Sequence, residues 1–256
     1  MILDSPNLFE NEFASMADYN NRDVTLTAHV DKSIQQACAN DSKLPKSLAY
    51  DSVVEAHIDT PNKLIGFSGY QFRHMMNNIC SLPSANYLEV GTYMGSTLVS
   101  AVLGNEGTLS SVHAIDNFSE FSESTNPRAS FLQNIERFLP NADIQFYEED
   151  CFQFDVRKLP KIDVFFYDGE HSEESQRNAF VHFYPAFADT FIAVIDDWEQ
   201  EPVRRGTRSA WEDLGFDIVS SRAIIPGKRP TPFETPSLQW WNGTHIAVLR
   251  KRVSGV

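Results

Sequence analysis

The stretch NYLEVGTYMGSTLVSAVLGNEGTLSSVHAIDNFSEF, residues 86–121, decides the fold. It reads as strand, glycine turn, helix, strand and acidic strand end. Tyr87, Leu88 and Val90 are β-prone and lie in a short apolar run, the pattern of a buried parallel strand, with Glu89 near its carboxyl end. Gly91 and Gly95 bracket a turn, and Ser96 to Val102 starts a helix. Glycine serves where the backbone takes φ > 0 or approaches a ligand closely. The helix start behind the turn offers unpaired N–H groups and a positive dipole end. A second strand, Ser111 to Ile115, ends in Asp116, beside the same turn, where a carboxylate can bind the two hydroxyls of a ribose. The turn does not carry the dinucleotide fingerprint GxGxxG: glycines at 91, 93 and 96 are required, and the chain has Tyr93 and Ser96 at the last two. It also has no lysine for a phosphate loop.

Outward from this stretch, 256 residues with 42% hydrophobic content supply one large domain, or one domain with an appendage. The net charge of −14 argues against nucleic acid, because phosphate binding needs a basic face. Cys38, Cys80 and Cys151 show no CxxC spacing, and an odd count does not suggest a disulfide framework. A reducing, cytoplasmic location is the expectation. No apolar run reaches the length of a membrane span, and the first residues, MILDSPNLFENEF, read as neither a signal peptide nor an anchor.

Residues 1–65 are polar and weakly patterned, with one helix expected over Val24 to Ala39. They read as an extension that caps the main domain, mediates dimer contacts or forms a loose arm. The main domain is expected over residues 66–256. Gly69 to Cys80 is an amphipathic helix, with Phe72, Met75, Met76, Ile79 and Cys80 on one side. Beyond Asp116, Phe118 and Phe121 sit in a polar loop that could cover a ligand. Pro127 opens a helix with an apolar stripe. A third strand, Asp143 to Tyr147, leads to Asp150, Cys151 and Phe152. Asp150 either accepts from an adenine amine or caps the turn that follows. Cys151 reads as pocket lining or core.

A second constellation lies further on. The apolar strand Ile162 to Tyr167 ends in Asp168-Gly169-Glu170-His171, and the strand Phe191 to Ile195 ends in Asp196-Asp197-Trp198. Consecutive strands in such a sheet are commonly neighbours, so three carboxylates gather at one edge. Crowded carboxylates raise one another's pKa or recruit a cation, and oxygen ligands suit Mg²⁺ or a similar hard ion. The alternative is helix capping or pairing with Arg204, Arg205 or Arg208. His171 is a candidate base, substrate hydrogen bonder or helix-start residue, and Glu170 is a competing base. Trp198, Trp211, Trp240 and Trp241 are candidates for a substrate wall, Trp198 first because it follows the paired aspartates. Pro226 to Pro236 is a candidate lid or a plain crossover.

The runs YLEVGTYMGST, AIDNFSEF, FFYDGEHS and AVIDDW resemble class I S-adenosylmethionine (SAM) methyltransferases, the family typified by macrolide and aminocoumarin sugar O-methyltransferases. The last two runs are also similar to the metal site of catechol-type O-methyltransferases. The resemblance covers residues 66 to about 250. It implies an α/β fold, a Rossmann-like, doubly wound, seven-stranded sheet of order 3-2-1-4-5-7-6 with the last strand antiparallel, behind a mostly helical N-terminal extension. It further implies that Glu89, Gly91, Thr92, Gly95 and Ser96 contact the cofactor, with Asp116 on its ribose and Asp150, Cys151 and Asp168 in the same pocket. Asp168, Asp196 and Asp197 match the metal ligands, with Asp168 also catalytic. Glu170 stands where the sugar enzymes place a base, usually an aspartate, and His171 is its neighbour. The implied reaction is metal-assisted O-methylation of a small-molecule hydroxyl, with no nucleic-acid or membrane partner and with homo-oligomerisation left open. The alternatives are a metal-independent N- or O-methyltransferase and a non-catalytic SAM or nucleoside-binding module.

Overall fold

The computed structural model describes residues 9–13, 20–54, 62–120, 126–226 and 238–252. Phe121 and nearly all of the Pro226 to Pro236 segment lie outside them. The chain-order elements are β1 (Phe9–Phe13), α1 (Asn21–Cys38), a π-helical turn running into the short α2 (Ser52–Val54), α3 (Tyr70–Ile79), β2 (Asn86–Val90), α4 (Ser96–Val102), β3 (Ser111–Ile115), α5 (Pro127–Phe138), β4 (Ile144–Tyr147), β5 (Ile162–Tyr167), α6 (Glu173–Phe183), β6 (Phe187–Asp196), α7 (Glu201–Asp213), β7 (Phe216–Ile224) and β8 (Thr244–Lys251).

The sheet order is β1-β7-β8-β6-β5-β2-β3-β4. Without β1, this is the expected 3-2-1-4-5-7-6, and β8 is antiparallel to both neighbours as expected. Strand β1 pairs antiparallel with β7 and makes an eighth, edge strand, so the sheet is one strand wider than the sequence suggests. Alternate residues of the central strands serve two cores. Tyr87, Val164, Phe166, Ile192 and Val194 face the layer of α1, α3, α4 and α5. Leu88, Val90, Phe165, Tyr167 and Ile195 face α6 and α7. Both faces are covered, which is why β5 and β6 read as continuous apolar runs rather than as alternating ones.

Residues before 66 share this core. Leu26, Val30, Ile34 and Ala37 of α1 are buried against it. Asn20 and Asp23 form a reciprocal capping box at the start of α1. The fully buried Asp23 also accepts from Arg250 at 2.6 Å and from Thr190 Oγ1 at 3.1 Å, which pins the helix start to β8 and β6.

Helix α3 has an unusual mount. Its first N–H groups, which no earlier turn can satisfy, are capped by a remote loop: Tyr70 N–H donates to the Leu238 carbonyl, and Gln71 and Phe72 N–H donate to the Gln239 carbonyl. A Cβ on Gly69 would lie 2.2 Å from that Gln239 oxygen, so the loop fits only against glycine. The loop before β8 is thereby fixed beside residues 66–69.

Candidate active site

A cleft of about 740 Å³ opens where the carboxyl ends of β2, β3, β4, β5 and β6 meet, within the ~300–1,000 Å³ of small-molecule sites. One wall is the glycine turn. Gly91 has φ +87°, and a Cβ there would sit 2.0 Å from the Asp168 carbonyl oxygen. Its N–H donates to the Ile115 carbonyl, while Asp168 N–H donates to the Val90 carbonyl. Gly91 thus sets how closely the turn approaches Asp168. Gly95 (φ +79°) closes the turn, its N–H donating to the Thr92 carbonyl at 2.7 Å, and opens α4.

Asp116 lines the cleft and is oriented by its own turn. Its Oδ2 accepts from Tyr93 N–H at 2.7 Å and from Thr92 Oγ1 at 3.4 Å, and its Oδ1 accepts from Phe118 N–H at 2.6 Å. Each carboxylate oxygen keeps further acceptor capacity for a ligand hydroxyl. Asp150, Cys151 and Phe152 line the cleft at the next strand end. Asp150 caps its turn through Phe152 N–H at 2.8 Å while remaining on the cleft wall, so the capping reading and the ligand reading are compatible. Burial and Asp150 push the Cys151 thiol up to about 12, which makes it lining rather than a nucleophile.

Two of the residues expected to contact the cofactor are not on the cleft wall. Gly95 shapes the turn without lining the cleft. Glu89 is fully buried and does not reach the cleft. Its Oε2 accepts from the Tyr87 hydroxyl at 2.6 Å, and its Oε1 has no partner. Burial holds its carboxyl well above the ordinary range, which favours the neutral acid. Thr92 and Ser96 do line the cleft.

The acidic corner assembles Asp168, His171 and Asp197 rather than the three aspartates. His171 Nε2 lies 2.9 Å from Asp197 Oδ2 and 3.6 Å from Asp168 Oδ1. Burial works against charge on this ring, but the hydrogen bonds to Asp168 and Asp197 outweigh it and raise its pKa to about 11. The two carboxylates thus favour the protonated ring. Burial, reinforced by Asp197, pushes Asp168 up to about 6 against the lowering effect of His171. Asp197 goes the other way: burial raises it, but hydrogen bonds from His171, Asn242 and Gln200 hold it below its ordinary value. Asp196 lines the cleft beside this trio but contributes no oxygen to it. It is buried, its Oδ1 has no partner, and burial with the charges of Asp168 and Asp197 raises its pKa strongly. The β6 end turns sharply at Asp197, whose φ is +52°, and this aims successive side chains apart.

Glu170 is exposed, and both its oxygens cap the start of α6, accepting from Ser172 N–H and Ser172 Oγ. Trp198 is not a substrate wall. It is fully buried, 4.0 Å from the His245 ring and under the Arg208 guanidinium. Trp211 and Trp240 are buried too. Trp241 does line the cleft, stacked at 5.7 Å on Phe67, which stacks at 5.4 Å on Tyr93. Phe67 escaped the sequence reading, although a large ring between Gly66 and Gly69 just before a helix was its signal. Among the described residues, four of the six non-glycine residues with left-handed φ, namely Tyr93, Phe118, Asp197 and Trp241, line this one cleft. Such strain persists where surroundings enforce it, and it clusters at functional sites.

Residues 88–198, which hold the turn and the acidic corner, match the family model of a methyltransferase domain. No curated protein matches the chain. Among solved structures, a putative SAM-dependent methyltransferase from Streptococcus mutans is 12% identical with a TM-score of 0.50, over 73% of this chain and 50% of that one. The Bacillus cereus O-methyltransferase, solved with S-adenosylhomocysteine (SAH), is 14% identical with a TM-score of 0.49, over 92% and 93%. TomG, an O-methyltransferase of Streptomyces achromogenes solved with SAM, is 14% identical with a TM-score of 0.47, over 91% and 97%. At such identities the likeness is one of fold. Residues 88–198 thus match a methyltransferase domain, set in a sheet of the order expected for the class I methyltransferase fold.

Proposed function

We propose that the chain methylates a hydroxyl of a small molecule, using SAM and a divalent cation such as Mg²⁺. The observation that carries this reading is the placement of two unlike features on one cleft: the glycine turn with Asp116, and the corner of Asp168, His171 and Asp197 with Asp196 beside it. The donor set fits a hard cation. Asp168 and Asp197 converge on His171, Asp196 lies beside them with an Oδ1 that has no partner, and Asp168 is pushed up to about 6. Asp168, Asp196 and Asp197 would hold the ion, which when bound supplies acidity and a fixed position to an acceptor hydroxyl.

The chain's own residues do the rest. Asp116, preset by Tyr93 and Phe118 N–H, orients the ribose of the donor. Asp150 and Phe152 frame the adenine end. Holding donor and acceptor in one geometry is a large part of the rate gain in group transfer. His171 bridges Asp168 and Asp197, and the raised pKa they give it makes it a poor proton acceptor. Glu170, exposed on the cleft wall, is the remaining proton acceptor.

A second reading rests on His171 itself. The imidazolium already neutralises the Asp168–Asp197 pair, so transfer without a metal is the alternative. Methyl-labelled SAM with a panel of small hydroxyl compounds, with and without chelator, tests both. Activity abolished by chelator and restored by Mg²⁺ supports the first. Activity indifferent to chelator supports the second. SAH binding with no product from any acceptor leaves a binding module.

A further inference from the structure

Arg73, in the first turn of α3, is fully buried and has no carboxylate partner among the described residues. Arginine is almost never fully buried unless paired, because an isolated charge costs far more to bury than a neutral group. Its guanidinium donates through Nε to Ser68 Oγ at 2.7 Å and through Nη1 to the carbonyls of Leu48 at 2.7 Å and Leu64 at 3.2 Å. Nη2 donates to the Gly66 carbonyl at 3.2 Å. All these acceptors are neutral. Burial alone moves its pKa, down to about 9, with no nearby carboxylate to raise it. The hydrogen bonds of this side chain are met and its charge is not.

Two hydroxyls connect that charge to the cleft. A guanidinium only donates, so Ser68 Oγ accepts from it. The Ser68 proton is then free for Ser96 Oγ, 3.3 Å away at the start of α4. Ser96 Oγ accepts in turn, which leaves its own proton for the cleft that Ser96 lines. A Cβ on Gly66 would lie 2.3 Å from Ser96 Oγ, so the loop closes on that hydroxyl only with glycine there. Polarity therefore runs one way, from the buried guanidinium to a hydroxyl on the cleft wall.

The donor has a group suited to it. Along the sheet edge the strands run β5, β2, β3, β4. With the adenine end beyond β4 and the ribose at Asp116 beyond β3, the amino-acid tail of the donor falls beyond β2, against the glycine turn and Ser96. That tail ends in a carboxylate. The cleft lining holds nine carboxylates, and its one cationic side chain, His171, is engaged with Asp168 and Asp197 at the corner where a divalent cation would also bind. We infer that Arg73, acting through Ser68 and Ser96, positions and selects the carboxylate of the donor's amino-acid tail. It supplies at the glycine turn the positive potential that the acidic cleft otherwise lacks there. This inference rests on the methyltransferase reading and gives a specificity role to a residue that itself touches no ligand.

The test is calorimetry on the full chain with two probes, SAH and decarboxylated SAH, which keeps the amine and lacks the carboxylate. An acidic cleft without the relay favours the second, the more cationic of the two. The unaltered chain should bind SAH at least about tenfold tighter, the scale of a hydrogen bond to a charged group. Ser68→Ala cuts the relay and leaves the guanidinium its three carbonyl partners. It should weaken SAH about fivefold to tenfold and leave decarboxylated SAH unchanged. Arg73→Met should abolish the preference for SAH outright. That variant also loses the clamp on the loop, so its stability to urea is read alongside, and Ser68→Ala decides where it does not fold. A preference for SAH that survives Ser68→Ala, whether both probes weaken alike or neither does, would make Arg73 a clamp only and overturn the inference. So would an unaltered chain that binds the two probes equally. Absence of SAH binding by the unaltered chain would instead overturn the methyltransferase reading on which the inference stands.

Discussion

Gly91→Ala probes the joint between the two halves of the site. Gly91 has φ +87°, and its added Cβ would stand 2.0 Å from the Asp168 carbonyl oxygen, 2.5 Å from the carbonyl carbon and 2.9 Å from Gly169 N. These are backbone atoms at the end of a central strand, with no flexible side chain to swing aside. The left-handed backbone costs an L-residue about 1–2 kcal/mol. Forcing β2 and β5 apart adds about 1–3 kcal/mol, the usual cost of overpacking. Gly215→Ala is the control, because Gly215 has φ +67° and open space around its would-be Cβ. It carries the backbone term alone, about 1–2 kcal/mol. Urea denaturation should therefore place Gly91→Ala below Gly215→Ala by about 1–3 kcal/mol. SAH affinity should fall in the first variant and stay unchanged in the second. Equal stability losses with SAH affinity retained in both would refute the claim that Gly91 sets the distance between the turn and Asp168.

Asp116→Asn should weaken SAH about 10-fold to 100-fold by calorimetry, the scale of hydrogen bonds to a charged group, because the amide nitrogen cannot accept and one of the bonds from Tyr93 and Phe118 N–H is lost as well. Trp198→Ala should cost about 3–5 kcal/mol in urea denaturation, as expected for a buried ring, whereas Trp241→Phe should leave stability within about 0.5 kcal/mol. Burial lowers His245 from 6.5 to about 3, so its stabilisation is complete above pH 6.5 and drains as pH falls toward 3. The full span is about 5 kcal/mol, and His245→Phe should flatten the acid limb of the stability–pH curve between pH 6.5 and 4. Glu89 has a raised folded pKa, so its contribution is fully present below the unfolded value of 4.5 and is lost as pH rises through the folded one. Glu89→Gln should accordingly stabilise the protein at pH 8, with the advantage vanishing toward pH 4.

The central strands were legible because both their faces are covered: the runs VFFY and FIAVI have no polar position to give up to solvent. The turn and its carboxylates were legible because local backbone demands fix their spacing. What was not legible depends on contacts distant in sequence. Strand β1 forms only because β7 offers an open edge, and the short FENEF alternates too weakly to announce a strand. The start of α1 is held by Asp23 on Arg250, 227 residues away. The acidic corner exchanged Asp196 for His171 because the left-handed turn at Asp197 separates adjacent side chains, which spacing along a strand does not encode. Trp198 looked like a wall from its place beside the aspartates, yet that same turn sends it into the α7 core. Phe67 and Trp241 meet only through the capping of α3 by Gln239.

The central claim is that one cleft takes both the SAM-type nucleoside and a hard cation at Asp168 and Asp197. Titrating Mn²⁺ into the SAH-saturated chain, followed by electron paramagnetic resonance, reads the second event in the presence of the first. The account predicts one bound ion per chain, lost in Asp168→Asn while SAH remains bound. Saturable SAH binding with no ion taken up, or an ion held equally well by Asp168→Asn, would contradict it.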